Sequence, residues 1–395
     1  MLLINDLGPG GAERALVNLV NNVTRFRPVV AVLRPVLDLA GELDPDIEIV
    51  CVGPPGMAKS PGASHLPLSS AAGPRGKPRG RMLLELPGLV STARRLVTAA
   101  RERNCNVVST FLNRAHTVAL TGRILFDRNL RVVINVHEML SDHLELHFSP
   151  LERWLMKKFI SQSFPSAERI VTVADAVTTD LVQEFGLAAN RISVAHNPID
   201  VTRIMNAGRI SVDEADCSGN TIVAVGRLVH LKGFDILIRA FAQLPAALDA
   251  QLVIVGEGIE RRALERLIAD LGLGHRVRLI GFRANPWQYM ARAKVLAVPS
   301  RTEAFPSVIG EAFVLSIPVV AANCSDGIGE YLDHGGCGVM VSPDDPRALA
   351  EALARVLEDV ELRERLAAAG RRRVKAFDMS PTVSHYEEML ALTAS

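Results

Sequence analysis

At 395 residues the chain is too long for one hydrophobic core, so its length indicates two domains of roughly 200 residues each. Apolar residues make up 48% and charged residues 22%, as in soluble globular proteins, and no uncharged apolar run is long enough to predict a membrane-spanning helix. The opening MLLINDLGPGG does not resemble a signal peptide, and the five scattered cysteines include no C-x-x-C pair, so neither a disulfide framework nor a zinc ribbon is indicated and a cytoplasmic protein is expected.

The net charge of +1 is unevenly distributed. Between Lys59 and Arg131 there are 13 lysines and arginines against 3 acids, a local charge of +10. Such a basic segment can attract an anionic membrane surface or diphosphate groups, although ordinary solvated helix faces explain it equally well. Nucleic acid is not an expected partner, because aromatic residues make up only 5% of the chain.

The first half of the chain, residues 1–200, predicts a Rossmann-like domain in which apolar strands alternate with helices. Residues 53–80 are rich in proline, glycine and serine and predict a mobile loop within it. The expected strands, in chain order, are LLIND, PVVAVL, IEIVCV, NVVSTF, RVVINVHE, RIVTVAD and RISVAHN.

The second half predicts a doubly wound parallel domain over residues 201–375, with a hinge near 197–220 and a final helix over 376–395 that packs back on the first domain. Two such domains would place the carboxyl ends of their strands on a shared cleft, where ligands bind. The expected strands of the second domain are TIVAVGRL, QLVIVGEG, VRLIGF, VLAVPS, IPVVAAN and GVMVSP.

The loop GPGGAE follows the first strand and opens the first helix. Gly10 and Gly11 permit close approach of a ligand to the backbone, beside a helix N-terminus that attracts phosphate. Glu13 occupies the third glycine position of the dinucleotide fingerprint, which argues against NAD. A tight strand-to-helix turn without a ligand remains the alternative.

Arg227 and Lys232 lie five positions apart in GRLVHLKG, just beyond a strand end. Two cations there could clamp a diphosphate and stabilise the charge that develops on it as a bond breaks. The alternative is a surface arginine and lysine at the start of a helix.

Glu303 and Glu311 flank the turn AFPS, and Glu311 is expected to open the next helix. A helix N-terminus attracts phosphate, and carboxylates accept hydrogen bonds from sugar hydroxyls. The pair therefore predicts a pocket for a sugar joined to a phosphate, against the alternative of two solvated or capping glutamates.

His137 ends the strand in VVINVHE, so it is expected at the mouth of the cleft, where it could hydrogen-bond a sugar hydroxyl; a structural histidine is the alternative. His196 is a weaker candidate at the entry to the hinge. Asp44-Pro45-Asp46 precedes a strand and has no His or Cys ligands nearby, so we interpret it as a turn and expect no metal.

The chain resembles the family-4 retaining glycosyltransferases of the GT-B fold. The motifs that carry the resemblance are GPGGAERALVNL, VAVGRLVHLKGFDILIRAF, LVIVGEG, LIGF, PSRTEAFPSVIGEA and IPVVAANCSDGIGEYL. The resemblance is weakest over residues 53–130. It implies an α/β protein with two Rossmann-like, doubly wound domains that face each other across a cleft. The N-terminal domain would bind the acceptor and the C-terminal domain the nucleotide-sugar donor.

The resemblance also implies roles for single residues. Arg227 and Lys232 would hold the donor diphosphate, and Glu303 would contact the donor sugar. Glu311 would bind the ribose hydroxyls, and His137 would lie near the transferred sugar. The other donor-binding positions would be the backbone around Phe305, Pro306 and Ser307, the strand end at Gly281, Phe282 and Arg283 beside the base, and Gly10 and Gly11 on the opposite wall.

Such enzymes retain the anomeric configuration, and in a favoured family mechanism the leaving phosphate takes the acceptor proton during front-face attack. That mechanism needs no dedicated protein base, which fits the absence of an obvious carboxylate dyad. Two departures from the family pattern are Ala304 and Ser316, at positions where glycine is usual. Cys324-Ser325-Asp326-Gly327, followed by Glu330, is similar to members that extend lipid-linked glycans or surface polysaccharides.

The sequence thus predicts a retaining transferase that moves a sugar from a UDP-linked donor to a lipid-linked saccharide or polysaccharide, without a cofactor. A GT-B-type sugar-nucleotide epimerase and a non-catalytic sugar-nucleotide-binding protein are the alternatives. The stretch LERWLMKKFI, with Trp154 beside Lys157 and Lys158, predicts peripheral contact with the inner face of an anionic cell membrane. An ordinary packed helix is the competing interpretation of that stretch.

Overall fold

The computed structural model describes residues 1–8, 10–54, 86–211 and 219–394. The mobile loop predicted at 53–80 lies, from residue 55 onward, outside the described residues. The chain divides into two compact units. The first consists of Met1–Pro198 with Met379–Ser395, and the second of Ile199–Asp378.

The first unit is built on a seven-stranded parallel sheet, with strand order β3-β2-β1-β4-β5-β6-β7. Its strands are short runs rich in valine and isoleucine, and the central ones are buried, as expected where helices cover both faces. They are β1 (Leu2–Ile4), β2 (Val29–Val32), β3 (Glu48–Cys51), β4 (Val107–Phe111), β5 (Arg131–Val136), β6 (Arg169–Thr172) and β7 (Ile192–Val194).

Six helices among the described residues of this unit precede the second unit in the chain. Ser149 caps α5 with a capping box that includes Glu152, and a proline stands at its first position, so the sequence specifies where this helix begins. The helices are α1 (Gly11–Asn22), α2 (Leu86–Glu102), α3 (Asn113–Leu125), α4 (Leu140–His147), α5 (Pro150–Ser163) and α6 (Asp175–Phe185).

The second unit contains a six-stranded parallel sheet, with strand order β10-β9-β8-β11-β12-β13. Its central strands are again buried apolar runs that belong to one continuous hydrophobic core. They are β8 (Asn220–Val225), β9 (Ala250–Val255), β10 (Val277–Gly281), β11 (Val295–Val298), β12 (Val319–Ala322) and β13 (Val339–Val341).

The helices of the second unit cover this sheet. Asp345 and Asp359 cap α13 and α14 by accepting backbone N–H groups, a role that aspartate performs well. The helices are α7 (Val201–Gly208), α8 (Phe234–Phe241), α9 (Arg261–Asp270), α10 (Trp287–Met290), α11 (Ser307–Val314), α12 (Asp326–Tyr331), α13 (Pro346–Glu358) and α14 (Val360–Arg373). No helix among the described residues is both long and apolar enough to cross a bilayer.

The final helix, α15 (Met379–Ala394), belongs to the first unit, where it packs on α1. The hydroxyl of its buried Tyr386 lies 2.5 Å from Ser109 Oγ, which also accepts a hydrogen bond from Asn135 Nδ2 at 2.8 Å. Glu387 accepts the backbone N–H of Thr24. These polar contacts fix the helix in one register, because a shifted helix would leave them unsatisfied.

Each sheet reverses its strand order once, between β1 and β4 in the first unit and between β8 and β11 in the second. In open parallel sheets, ligands bind beyond the carboxyl ends of the strands at such reversals. The loops after β8 and β11 carry Lys232 and Glu303, and β5, next to β4, ends immediately before His137. The topology therefore places these three candidate residues at the carboxyl edge of the sheet in their own unit.

Candidate functional site

The loops after β8 and β11 lie against each other in the second unit. Gly233 has a φ of +64°, and a Cβ there would lie 2.0 Å from the carbonyl oxygen of Pro299, so the position requires glycine. Arg301 donates its backbone N–H to the carbonyl of Leu231 at 2.8 Å and forms two 2.8 Å bonds to the carboxylate of Asp235. These hydrogen bonds thus hold the two loops together.

Lys232 and Glu303 are brought together by this arrangement: the ammonium and the carboxylate form an ion pair. Ser300 donates its hydroxyl to Glu303 Oε1 at 2.8 Å and is itself buried. Only 11% of the Glu303 side chain and 26% of the Lys232 side chain are exposed, so the pair lies mostly within the protein. Arg227, in the same loop as Lys232, is exposed.

The expectation that Glu311 opens a helix is wrong, because α11 begins at Ser307 and Glu311 lies in its second turn. Its Oε2 accepts a hydrogen bond from the indole N–H of buried Trp287 at 2.9 Å. The guanidinium of Arg203 lies 5.5 Å from the Trp287 ring centroid. The sequence offered no signal for this pairing, since the two residues are 24 positions apart on different helices.

The turn that leads into α11 points its aromatic side chain inward. Phe305 is buried, stacks on Tyr331 with ring centroids 3.9 Å apart, and meets Phe377 edge-on. The Phe305 side chain is therefore not available to a ligand, and at this residue only the backbone is. Helix α11 has no side-chain cap, so the N–H groups of its first turn are suited to bind an anion.

Helix α12 and the residue that precedes it also lie directly against the Glu303 loop. Ser325 donates its hydroxyl to the carbonyl of Glu303 at 2.6 Å. A Cβ on Gly327 would lie 1.8 Å from the carbonyl oxygen of Ala304, so only glycine fits there. Burial, together with the nearby Glu303 carboxylate, raises the pKa of the Cys324 thiol to about 12, which keeps this thiol protonated.

The predicted base-binding positions lie at the end of β10, two strands from β8. Gly281 has a φ of +78°, Phe282 is 44% exposed, and Arg283 Nε donates to the hydroxyl of Tyr289 at 3.1 Å. Neighbouring strands are about 4.8 Å apart, so these residues lie roughly 10 Å along the sheet edge from the end of β8. They are not in the cluster formed by Lys232 and Glu303.

In the first unit, Gly10 caps α1 and Gly11 begins it. The carboxylate of Glu13 folds back over this loop, with Oε2 2.1 Å from the place that a Cβ on Gly10 would occupy. Glu13, which stands where a dinucleotide-binding loop has its third glycine, thus lies against the turn.

His137 follows β5, and both of its ring nitrogens are buried, with no hydrogen bond of standard geometry to any residue that the structure describes. Its ring lies 5.2 Å from that of Phe111, in a small pocket that also includes Asn135 and Tyr386. Burial lowers the pKa of His137 to about 4, although the Glu138 carboxylate acts in the opposite direction. The imidazole is therefore neutral at pH 7 and carries one donor and one acceptor. The weaker candidate His196 lines the same pocket and donates from Nδ1 to the carbonyl of Val173 at 2.8 Å.

Glu138 was not a candidate from sequence, although it directly follows His137. It accepts a hydrogen bond from Asn113 at 2.7 Å and lies 3.1 Å from His143 Nδ1. Burial opposes protonation of His143, yet the Glu138 carboxylate raises its pKa above the usual value. Leu112, which lies between the end of β4 and Asn113, has a φ of +71°, a strained conformation for a leucine.

The Asp44-Pro45-Asp46 segment forms a turn, in which the backbone N–H of Asp46 bonds to the side chain of Asp44 at 3.0 Å. Across the parts of the chain that the structure describes, no group of three or more His, Cys, Asp or Glu side chains is arranged to hold a metal ion.

Family comparisons match both units of the chain. Residues 9–203 match the family described as Glycosyltransferase Family 4, and residues 213–373 match Glycosyl transferases group 1. The chain is 30% identical over 378 residues, 95% of each protein, to an N-acetylgalactosamine-N,N'-diacetylbacillosaminyl-diphospho-undecaprenol 4-alpha-N-acetylgalactosaminyltransferase of Campylobacter jejuni. It is also 31% identical to the lipopolysaccharide core biosynthesis glycosyltransferase LpsE of Rhizobium meliloti, over 51% of this chain and 58% of that protein.

The fold is shared with solved glycosyltransferases. The structure of Anabaena Alr3699/HepE in complex with UDP-glucose superposes with a TM-score of 0.77 at 24% identity, over 99% of this chain and 98% of that one. The α/β fold class expected from the sequence is thereby confirmed. The sequence resemblance, the family matches and the full-length relative agree, and the chain belongs to glycosyltransferase family 4 as a glycosyltransferase of the GT-B fold.

Proposed function

We propose that this glycosyltransferase retains the anomeric configuration of a sugar that it transfers from a UDP-sugar to a lipid-linked saccharide or a surface polysaccharide. The observation that carries the proposal is the cluster of Lys232, Glu303 and Ser300 at the strand-order reversal of the second unit. A buried carboxylate held by a cation and a hydroxyl is preorganised to bind a polar ligand.

The donor would lie along the carboxyl edge of this sheet. Lys232, Arg227 and the uncapped N-terminus of α11 would bind the diphosphate, because all three offer positive charge or N–H donors. Glu303 would accept hydroxyls of the sugar, and Glu311 those of the ribose. The strand end at 281–283 would border the base.

Bond cleavage places negative charge on the leaving diphosphate. Lys232 and Arg227 would stabilise that charge, with Lys232 exchanging its bond to Glu303 for one to phosphate. In front-face attack the leaving phosphate oxygen takes the proton of the acceptor hydroxyl, so no protein base is required. Neutral His137 would serve as a hydrogen-bonding group for the transferred sugar, not as a general acid.

Two relatives support the choice of substrates. The protein from Campylobacter jejuni is named for a diphospho-undecaprenol-linked saccharide, and Alr3699/HepE was solved with UDP and with UDP-glucose. We extend both chemistries to this chain, together with a cytoplasmic location at the inner face of the cell membrane, where a lipid-linked acceptor would be presented.

The donor is tested by thermal shift with UDP, GDP and TDP. UDP should raise the melting temperature most, since a ligand at about 100 times its Kd stabilises a protein by about 2.7 kcal/mol. Failure of all three nucleotides to raise the melting temperature would contradict a nucleotide-linked donor. A larger shift with GDP or TDP would show that the donor carries guanine or thymine instead of uracil.

The reaction is tested by incubation with a panel of UDP-sugars, followed by NMR of the products. Slow release of UDP without acceptor, and transfer to a polyprenyl-diphosphate saccharide with unchanged anomeric configuration, are expected. Glu303→Gln should abolish both activities, whereas Glu265→Gln, on an exposed helix face, should not. An inverted product would exclude retention, interconverted sugar nucleotides would indicate an epimerase, and binding without turnover would indicate a non-catalytic binder.

A further inference from the structure

Helix α5 presents an apolar stripe to solvent. Leu151, Trp154 and Leu155 are 67%, 58% and 38% exposed, and Lys158 continues the same face at i, i+3, i+4 and i+7 spacing. Leu146, at the end of α4, adds a further residue that is 42% exposed. The helix packs on α4 and α6 through its other face, and these side chains face away from the core.

The cation on this stripe is placed over its aromatic ring. Lys158 Nζ lies 5.3 Å from the ring centroid of Trp154, and Lys158 forms no ion pair with any residue that the structure describes. The neighbouring Lys157, in contrast, pairs with Glu184 at 2.7 Å. A tryptophan with an adjacent lysine combines an apolar body with a group that stays hydrated, a combination typical of membrane interfaces.

The stripe lies near the candidate acceptor edge of the first unit. Strand β5 ends immediately before His137, and α5 then returns along the sheet, so Leu151 and Trp154 in its first two turns are at the carboxyl edge. Helix α3 begins at the same edge and carries exposed Arg114 in its first turn. Helix α3 is on the same face of the sheet as α5, because His116 packs edge-on against Phe164, which follows α5.

The size of the patch favours a lipid surface over a second protein. Leu146, Leu151, Trp154 and Leu155 expose about 400 Å² together, if a fully exposed side chain of this size offers roughly 200 Å². A stable protein interface buries about 800 Å² on each partner. Insertion of one or two apolar side chains between headgroups has no such area requirement.

We propose that this α5 stripe is the docking surface for an anionic lipid bilayer. Leu151 and Trp154 enter the boundary between headgroups and acyl chains, and Lys158 remains at the level of the lipid phosphates. The choice of a bilayer rests on the proposed lipid-linked acceptor, which would be presented at such a surface beside His137. The donor chemistry of the second unit does not depend on it.

The test uses the full chain and vesicles of phosphatidylcholine, with or without about one third phosphatidylglycerol. The chain has two tryptophans, and Trp287 is buried, so the difference between wild type and Trp154→Phe isolates the signal of Trp154. We expect a blue shift and quenching by lipids spin-labelled near the headgroup, stronger with phosphatidylglycerol and weaker at high salt. An unchanged Trp154 signal at saturating anionic vesicles would overturn the proposal.

A matched pair of variants identifies the surface. Leu151→Ser should lower the vesicle partition coefficient about tenfold, since a buried leucine contributes enough for that factor. Leu392→Ser, whose side chain is 68% exposed on α15, should leave it unchanged. Equal losses in both variants would overturn the assignment. Self-association that Leu151→Ser abolishes, without vesicle binding by wild type, would identify a protein interface instead.

UDP-sugar hydrolysis separates the two proposals. Leu151→Ser should hydrolyse the donor at the wild-type rate, because the change is in the other unit. Vesicle binding without any hydrolysis would contradict the proposed function but support the docking surface. Hydrolysis without vesicle binding would support the proposed function but contradict the docking surface.

Discussion

Lys232 and Glu303, 71 residues apart in the chain, form an ion pair at the carboxyl edge of the sheet in the second unit. Each side chain thus provides the other with a partner of opposite charge. Entry of a diphosphate would give the ammonium a second anionic partner, and the carboxylate would become available to sugar hydroxyls. The ion pair therefore prevents either charge from remaining unpaired in a largely buried place.

Lys232→Ala should lower kcat about 100-fold, the usual effect of removing one group that stabilises developing charge. The measurement is initial-rate UDP release from the UDP-sugar that binds best. Lys294→Ala, an exposed lysine in the same unit, is the control and should keep the wild-type rate. A rise in KM alone, with kcat unchanged, would mean that Lys232 contributes to ground-state binding only.

Trp287→Phe should weaken UDP binding about tenfold, because Glu311 would lose its 2.9 Å indole donor while the ring continues to fill its site. The expected change is in Kd, measured by calorimetry, with kcat at saturating donor preserved. The matched change Trp154→Phe, at the exposed tryptophan, should leave the Kd unaltered. Equal affinities for wild type and Trp287→Phe would mean that the indole does not position Glu311 for the ligand.

The fold class could be predicted from the sequence because parallel strands are buried on both faces. Runs such as those of β5 and β9 are then almost entirely apolar, and the glycines and polar residues after them mark the strand ends. The start of α11 was harder to predict from the sequence. The helix begins at Ser307, but the preceding Pro306 provides no side-chain cap, so the rule that a helix begins near a capping residue does not apply.

Residues that act through tertiary contacts could not be predicted from the sequence. Ser300 is a common strand-end serine until the fold brings Glu303 back to it, and Trp287 is a core tryptophan until its indole meets Glu311. Both contacts depend on loop geometry that no local pattern encodes. Lys232 and Glu303 were candidates because the spacing of family motifs around them could be recognised; their catalytic roles remain predictions.

Gly233→Ala should abolish UDP binding, whereas Gly272→Ala should not. Both glycines have a positive φ, +64° and +68°, so each substitution costs about 1 kcal/mol in backbone strain. Of the two, only Gly233 would bring the new Cβ against a backbone atom, the carbonyl oxygen of Pro299 at 2.0 Å; at Gly272 no atom of the described residues lies within 4 Å. The clash would separate the loops of Lys232 and Glu303.

The comparison is made by thermal unfolding and UDP calorimetry on both variants. Gly272→Ala should lose a little stability and no affinity. Gly233→Ala should lose several times more stability as well as its ligand. If the two variants behaved alike, the close contact of the loops would have no consequence for the site.

His116 and His137 make the first unit sensitive to acid. Burial lowers the pKa of His116 to about 3, and that of His137 to about 4, whereas an unfolded histidine titrates near 6.5. The unfolded chain therefore binds more protons below about pH 6.5, and the stability these neutral histidines contribute is full above that pH and falls toward pH 4. His143, whose pKa is raised, acts in the opposite direction.

Between pH 7 and pH 5, His116 should cost the folded state about 2 kcal/mol, because 1.5 pH units below 6.5 correspond to that free energy for one proton. Urea titrations followed by circular dichroism at both pH values measure the loss. His116→Gln removes the titratable group. The glutamine side chain can still form a hydrogen bond with Thr110, which lies 2.8 Å from His116 Nδ1 in the wild type. The variant should therefore lose about 2 kcal/mol less than wild type over the same interval. Parallel losses in the two proteins would show that His116 is already accessible to protons in the folded state, and that its burial does not control the acid response of this unit.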